Sequence, residues 1–183
     1  MTQRSDARRN RDAILRSAEE VFAAEDVSVP LQRIAERAGV GRGTLYRHFP
    51  DRYSLAAALY LERLERYEQL VEQQRDDPEI VLTVIAAITA EQGRIPGLFR
   101  LIFAPGPGRA YLDPLWQRSI ALLEEPLRIS QRAGVVRPDL TVDDLLMVVG
   151  MVFGVVNSPA GMAGPASVQR ALDLVLIGLR PRV

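Results

Sequence analysis

The 183-residue chain has no cysteine and no lysine, and only one histidine (His48) and one tryptophan (Trp116). Without cysteine there is no disulfide, thiol redox sensor or Cys-ligated zinc site, and one histidine cannot assemble a metal cluster. Long hydrophobic runs are also missing. The longest, Leu145–Val156, has 12 residues, short of the ~18 that a membrane-spanning helix needs. Met1–Arg11 is polar and lacks the apolar core of a signal peptide. A soluble, cytoplasmic protein is therefore expected. No glycine-rich phosphate loop follows a strand, and no serine-nucleophile signature occurs. Asp143-Asp144 and Glu124-Glu125 are sequence neighbours, so on a helix they diverge by about 100° and suit caps and solvated faces. Neither a catalytic residue nor a metal or cofactor is expected.

What is present is globular in character: 48% of residues are hydrophobic and 25% charged, in a chain long enough to bury a sizeable core. Net charge is zero, but it is unevenly spread. Between Arg33 and Arg52 five arginines face only Glu36 and Asp51. Nucleic-acid binding depends on such a local face and not on the total. All 23 basic residues are arginine. Arginine is the better bidentate partner of phosphate and guanine, although so chain-wide a bias fits a codon-composition origin better than a site-specific one.

The most informative segment is Leu31–Phe49, LQRIAERAGVGRGTLYRHF. Leu31, Ile34, Ala35 and Ala38 form one apolar stripe at helical spacing. Gly39-Val40-Gly41 then breaks the helix, and Val40 is placed to plug the gap between the two halves. In the second half Leu45 and Phe49 point inward, Gly43, Thr44 and Arg47 outward, and Tyr46 and His48 flank the outward face. A short polar helix braced across a glycine turn suits the major groove of DNA. Thr44 and Arg47 are the best candidates for base edges, and Arg42, at the helix start, for base or phosphate. Tyr46, His48 and Arg52 at the flanks suit phosphate contacts, which set register; a plain surface histidine is the alternative for His48.

AERAGVGRGTLYRHFPDR resembles the DNA-binding segment of the TetR-type (tetracycline-repressor-like) transcriptional regulators. The resemblance rests on the glycine turn, Gly43-Thr44-Leu45-Tyr46, the aromatic Phe49 and the basic Arg52, and it covers about the first third of the chain. It implies an additional base contact from Gln32, an effector pocket in the middle helices and a dimer. One departure stands at the start of the second helix, where many relatives carry Thr or Ser and this chain has Ser28-Val29-Pro30-Leu31.

Helical periodicity runs through almost the whole chain, without strand-like alternation or repeats. An all-α protein of about nine helices is expected: a three-helix helix-turn-helix DNA-binding domain (1–52), then a helical ligand-binding and dimerisation domain (53–183). Helices are expected at Asp6–Glu25, Arg52–Gln74 with Asp51 as N-cap, Glu79–Gln92, a short stretch ending at Phe103, Asp113–Ala133, a segment ending at Asn157, and Ser167–Leu179. Thr141-x-x-Asp144 has the form of a capping box, and 104–108 and 157–165 read as loops. Arg8, Arg9 and Arg11 near the start either reach a DNA backbone or form a solvated arm.

Leu145–Val156 is apolar on every side, so both faces must be buried. Gly150 and Gly154 leave a smooth strip for close helix approach. With Leu146, Leu172, Val175, Leu176 and Leu179 they are assigned to a symmetric homodimer contact; a wholly internal helix in a monomer is the alternative. Among the middle helices Tyr60, Phe99, Phe103 and Trp116 are candidate pocket residues, with ordinary core packing as the competing role. No cluster of like charge marks the region, which favours an apolar or aromatic effector. The expected function is a ligand-responsive regulator, a repressor that binds a palindromic operator as a homodimer and is released by its effector. A helical adaptor that has lost DNA binding is the main rival.

Overall fold

The computed structural model describes residues 2–103, 109–157 and 165–181. Among them it is all helical: α1 (Thr2–Ala24), α2 (Leu31–Arg37), α3 (Arg42–His48), α4 (Arg52–Gln73), α5 (Ile80–Arg94), α6 (Pro96–Phe103), α7 (Arg109–Arg132), α8 (Val142–Val156) and α9 (Pro165–Leu179). The expected loops at 104–108 and 157–165 lie outside the described residues, except Asn157, which follows α8, and Pro165, which opens α9. Helices α1 and α7 begin four residues before the expected starts at Asp6 and Asp113; in α1 the extra turn, Thr2-Gln3-Arg4-Ser5, is polar and carries no stripe to read. Pro96 and Pro165 both stand at a first helical position, where the missing N–H costs nothing and the fixed φ fits the helix.

Two compact units emerge. The first comprises Met1–Glu62 and Gly97–Leu115, the second Arg63–Pro96 and Trp116–Val183. Residues 53–62 of α4, together with α6 and the first turns of α7, thus group with the N-terminal helices.

In the first unit α1, α2 and α3 pack on one another. Ile14, Ala18 and Phe22 of α1, Leu31, Ile34 and Ala35 of α2, Leu45 of α3, Phe49, and Leu55 and Leu59 of α4 are all buried. Helix α2 ends in a Schellman turn: Gly39 has φ +66°, Val40 N–H donates to Ala35 C=O at 3.0 Å and Gly39 N–H to Glu36 C=O at 3.2 Å. Only glycine enters that left-handed region without strain. Pro30 precedes α2 and supplies no side-chain cap. Asp51 caps α4, its carboxylate accepting from Ser54 N–H at 2.7 Å.

Helix α6 is fastened to the loop between α1 and α2. At Gly97 an added Cβ would lie 2.6 Å from Val27 Cγ2 and 3.2 Å from Asp26 Oδ2. Arg100 of α6 pairs with Asp26 at 3.7 Å. Arg52 holds the same loop by donating to the carbonyls of Val27 and Val29. Hydrogen bonds from the Ser28 side chain and backbone, with a smaller contribution from the Arg100 charge, hold the Asp26 carboxyl below its ordinary value despite partial burial.

The second unit is built on α5, α8 and α9, which pack pairwise. Its core includes Ile80, Val81, Val84 and Ile85 of α5, Leu123 and Leu127 of α7, Leu145, Val148, Val149, Val152 and Val156 of α8, and Leu172 and Leu179 of α9. The capping box opens α8, Thr141 accepting from Asp144 N–H while Asp144 accepts from Thr141 N–H. Arg63, its side chain 5% exposed, donates to Glu91 at 3.0 Å. Burial alone would raise the Glu91 carboxyl, but the hydrogen bonds and charges of Arg63 and Arg94 outweigh it and hold it low.

Gly97→Ala is expected to destabilise the first unit by about 1–3 kcal/mol, the usual range for overpacking. In denaturant titrations its combination with Val27→Ala should cost less than the two changes summed. Because the Asp26 carboxyl is depressed, its contribution to stability is present above its unfolded value, ordinarily near 3.8, and is lost as pH falls through the lower folded value. Asp26→Asn should flatten that acid limb of thermal stability and leave the chain less stable at neutral pH.

Candidate nucleic-acid interface

Helix α3 is seven residues long, and its one buried residue is Leu45. Phe49 follows as its C-cap, with its N–H on the Leu45 carbonyl at 2.8 Å. These two apolar anchors set the rotation of the helix, so Arg42, Gly43, Tyr46 and Arg47 are exposed and Thr44 and His48 half-exposed. Six of the eight residues assigned to DNA contact thus share this helix.

Their side chains are held in different ways. Arg42 Cζ lies 5.5 Å from the centroid of the Tyr46 ring. Arg47 donates to the Gly43 carbonyl and to the Thr44 hydroxyl, each at 3.2 Å. His48 lies against Phe49, ring centroids 6.3 Å apart, and Arg11 of α1 places its guanidinium 5.4 Å from the Phe49 ring on another approach. The other two assigned residues sit elsewhere. Gln32, exposed on α2, donates to Glu36 at 3.0 Å. Arg52 is half-buried and spends its guanidinium on the carbonyls of Val27 and Val29, so it braces the α1–α2 loop, a role its basic character alone did not reveal.

The local charge excess resolves into the same helix. Arg33 and Arg37 are paired with Glu25 and Glu20 at 2.8 and 2.6 Å. These exposed rungs between α1 and α2 add little stability, but they cancel two of the five positive charges. Arg42 and Arg47 keep theirs, one on an aromatic face and one on neutral oxygens. Gly43 adds a steric feature: a Cβ there would meet nothing within 4 Å, so the fold itself does not ask for glycine in this helix. A helical glycine costs about 0.5–1 kcal/mol against alanine. Close approach of an outside surface is a physical use for it.

The second unit exposes an apolar face. Met147 and Met151 of α8, with Leu174 and Ile177 of α9, are each more than half exposed, and Gly150, Gly154 and Gly178 lie exposed among them with open space at each Cβ position. Of the residues assigned to subunit contact, Gly150 and Gly154 are on this face, Leu146, Val175 and Leu176 are half-buried, and Leu172 and Leu179 are buried within the unit. Because α8 is apolar all round, its sequence does not say which side faces in. The phase was available from the glycines: Met147 and Met151 are within one turn of Gly150 and Gly154, while Leu145, Val148, Val149, Val152 and Val156 form the inner side.

The candidate pocket aromatics are divided. Tyr60 and Phe99 are half-buried in the first unit and Trp116 is half-buried in the second; the side chain of Phe103 lies outside the described residues. One buried polar group of the second unit stands out. Gln92, 3% exposed, donates to the Val149 carbonyl at 3.2 Å, while its own side-chain oxygen has no hydrogen-bond partner. A buried acceptor in that state requires an explanation.

Two family models match the chain. That for bacterial regulatory proteins of the tetR family matches residues 14–59, and that for the C-terminal domain of SbtR-like transcriptional regulators matches residues 112–181. An HTH-type transcriptional regulator of Staphylococcus aureus is 37% identical over 75 residues, 40% of this chain and 40% of that protein. The match to such curated relatives thus spans about two fifths of their length. Among solved structures, a TetR transcription regulatory protein from Mycobacterium vanbaalenii shares 29% identity and a TM-score of 0.67, over 97% of this chain and 99% of that one. A TetR transcriptional regulator from Streptomyces coelicolor shares 28% identity and a TM-score of 0.66, over 94% and 99%.

Gly43→Ala is expected to separate folding from binding. It should stabilise the first unit by up to about 1 kcal/mol and weaken DNA binding, as measured by thermal unfolding and by fluorescence anisotropy with labelled duplex.

Proposed function

The chain belongs to the TetR family of bacterial helix-turn-helix transcriptional regulators, and we propose that it acts as a homodimeric repressor released from a palindromic operator by a small, largely apolar effector. Members of the family regulate transcription and are not enzymes. The observation that carries the reading is α3: a short helix with two inward anchors whose outward side offers Arg42, Gly43, Thr44, Tyr46, Arg47 and His48. Arg42, Thr44 and Arg47 are its base readers, and Tyr46 and His48 its phosphate contacts. Arg52 and Gln32 act indirectly, the first by bracing the loop that leads into α2. The protein works where bacterial DNA is, in the cytoplasm, and among the described residues no helix is long and apolar enough to cross a membrane.

The second copy is supported by the α8–α9 face. Four large apolar side chains left in water, with three glycines admitting close approach, make a surface whose burial a twofold dimer would provide. Two α3 helices about 34–36 Å apart would then enter successive major grooves. The effector acts in the second unit, where the free oxygen of Gln92 accepts a hydrogen bond from a hydroxyl or amide of an otherwise apolar molecule. Within the first unit, the Gly97–Val27 contact and the Arg100–Asp26 pair fasten α6 to the loop before α2. To shift occupancy from 1:99 to 99:1, the effector must favour the released state by about 5.5 kcal/mol.

Selection of bound genomic fragments by the purified protein tests the reading. A shared palindromic motif is expected, with affinity falling steeply as salt rises; the absence of any motif at low salt would leave the helical-adaptor alternative. Ile177→Glu should split the dimer, lowering the mass in sedimentation equilibrium from twice the 20.3 kDa chain to a single chain, and should abolish tight operator binding.

A further inference from the structure

The two arginines of α3 are prepared for different tasks. Arg47 turns its N–H donors onto its own helix, to the Gly43 carbonyl and the Thr44 hydroxyl. Arg42 does not. Its guanidinium lies 5.5 Å from the ring centroid of Tyr46, one turn further along the helix, where i and i+4 side chains meet. Such a contact occupies the face of the guanidinium and leaves the in-plane N–H groups at its edge unspent. Arg42 is also the first residue of α3, and residues at the N-terminal end of a recognition helix are those that meet base edges.

Resting on the DNA-reading function proposed above, we propose that Arg42 is the guanine-reading residue of this interface and that Tyr46 is its positioning residue. The planar fork of an arginine matches the O6 and N7 acceptors of guanine in the major groove. A long side chain free to sample many rotamers loses that freedom on binding, whereas one already resting on a ring loses less. Tyr46 is 39% exposed, so its ring is available as a platform and its hydroxyl remains free for a phosphate. Ring and hydroxyl therefore have separable consequences: the ring governs which base is preferred, the hydroxyl how tightly any DNA is held.

The experiment is selection from a randomised duplex library, by wild type and by Arg42→Ala, Arg42→Lys, Tyr46→Leu and Tyr46→Phe, each first shown to keep wild-type helicity and thermal midpoint. Wild type should select a motif with a guanine at one position of each half-site, preferred about tenfold or more. Arg42→Ala and Tyr46→Leu should both flatten the preference at that position and leave the others standing. Arg42→Lys should lose the preference while retaining the salt dependence, because the charge stays and the bidentate fork goes. Tyr46→Phe should keep the guanine preference, whatever uniform loss follows from removing the hydroxyl. If Tyr46→Leu weakens every sequence by the same factor and the guanine preference survives, Tyr46 serves phosphate alone and this proposal fails while the DNA-reading function stands. If wild type selects no motif, both fail together.

Discussion

A seven-residue helix such as α3 is marginal in water on its own, so its place and rotation are inherited from the side chains it buries. Leu45, 1% exposed, and Phe49, 3% exposed, do this work against the apolar stripe of α1. Every outward residue of α3 takes its direction from those two anchors. The Schellman turn at Gly39 fixes where α2 stops, and Gly41 then opens α3 without a side-chain cap. A change at Leu45 would displace Arg42, Tyr46 and Arg47 together, although none of them touches the core.

The same logic extends to the loop before α2. Val27 is buried beneath the missing Cβ of Gly97, Asp26 pairs with Arg100, and Arg52 holds the Val27 and Val29 carbonyls. One short loop is thus held both by α6 and by the first turn of α4. The side chain that α6 lies against, Val27, is β-branched and 3% exposed. Packed contacts of this kind transmit because they are stiff.

Much of this could be read in the sequence, for identifiable reasons. The helix–turn–helix was legible because its signals are local: an apolar stripe, a glycine where φ must be positive, a polar helix with two inward anchors. The capping box at Thr141 and Asp144 and the Asp51 cap were legible because the donor and acceptor are three residues apart. What escaped depends on contacts distant in the chain. The carbonyl ligands of Arg52 lie more than twenty residues upstream, so its basic character suggested phosphate. Gly97 carries no sign in the sequence that Val27 lies where its Cβ would be. The uniform apolarity of α8 erased its phase, which led to Leu172 and Leu179 being counted with the outer face instead of Met147, Met151, Leu174 and Ile177.

In the proposed complex two copies of α3 occupy successive major grooves of one operator. Guanine N7 lies in the major groove, so methylation protection of a selected operator by the purified protein reports on that placement directly. Two patches of protected guanines are expected, related by twofold symmetry and separated by about one helical turn, roughly 10–10.5 base pairs. Protection confined to a single patch, or binding that leaves every guanine N7 reactive, would contradict it.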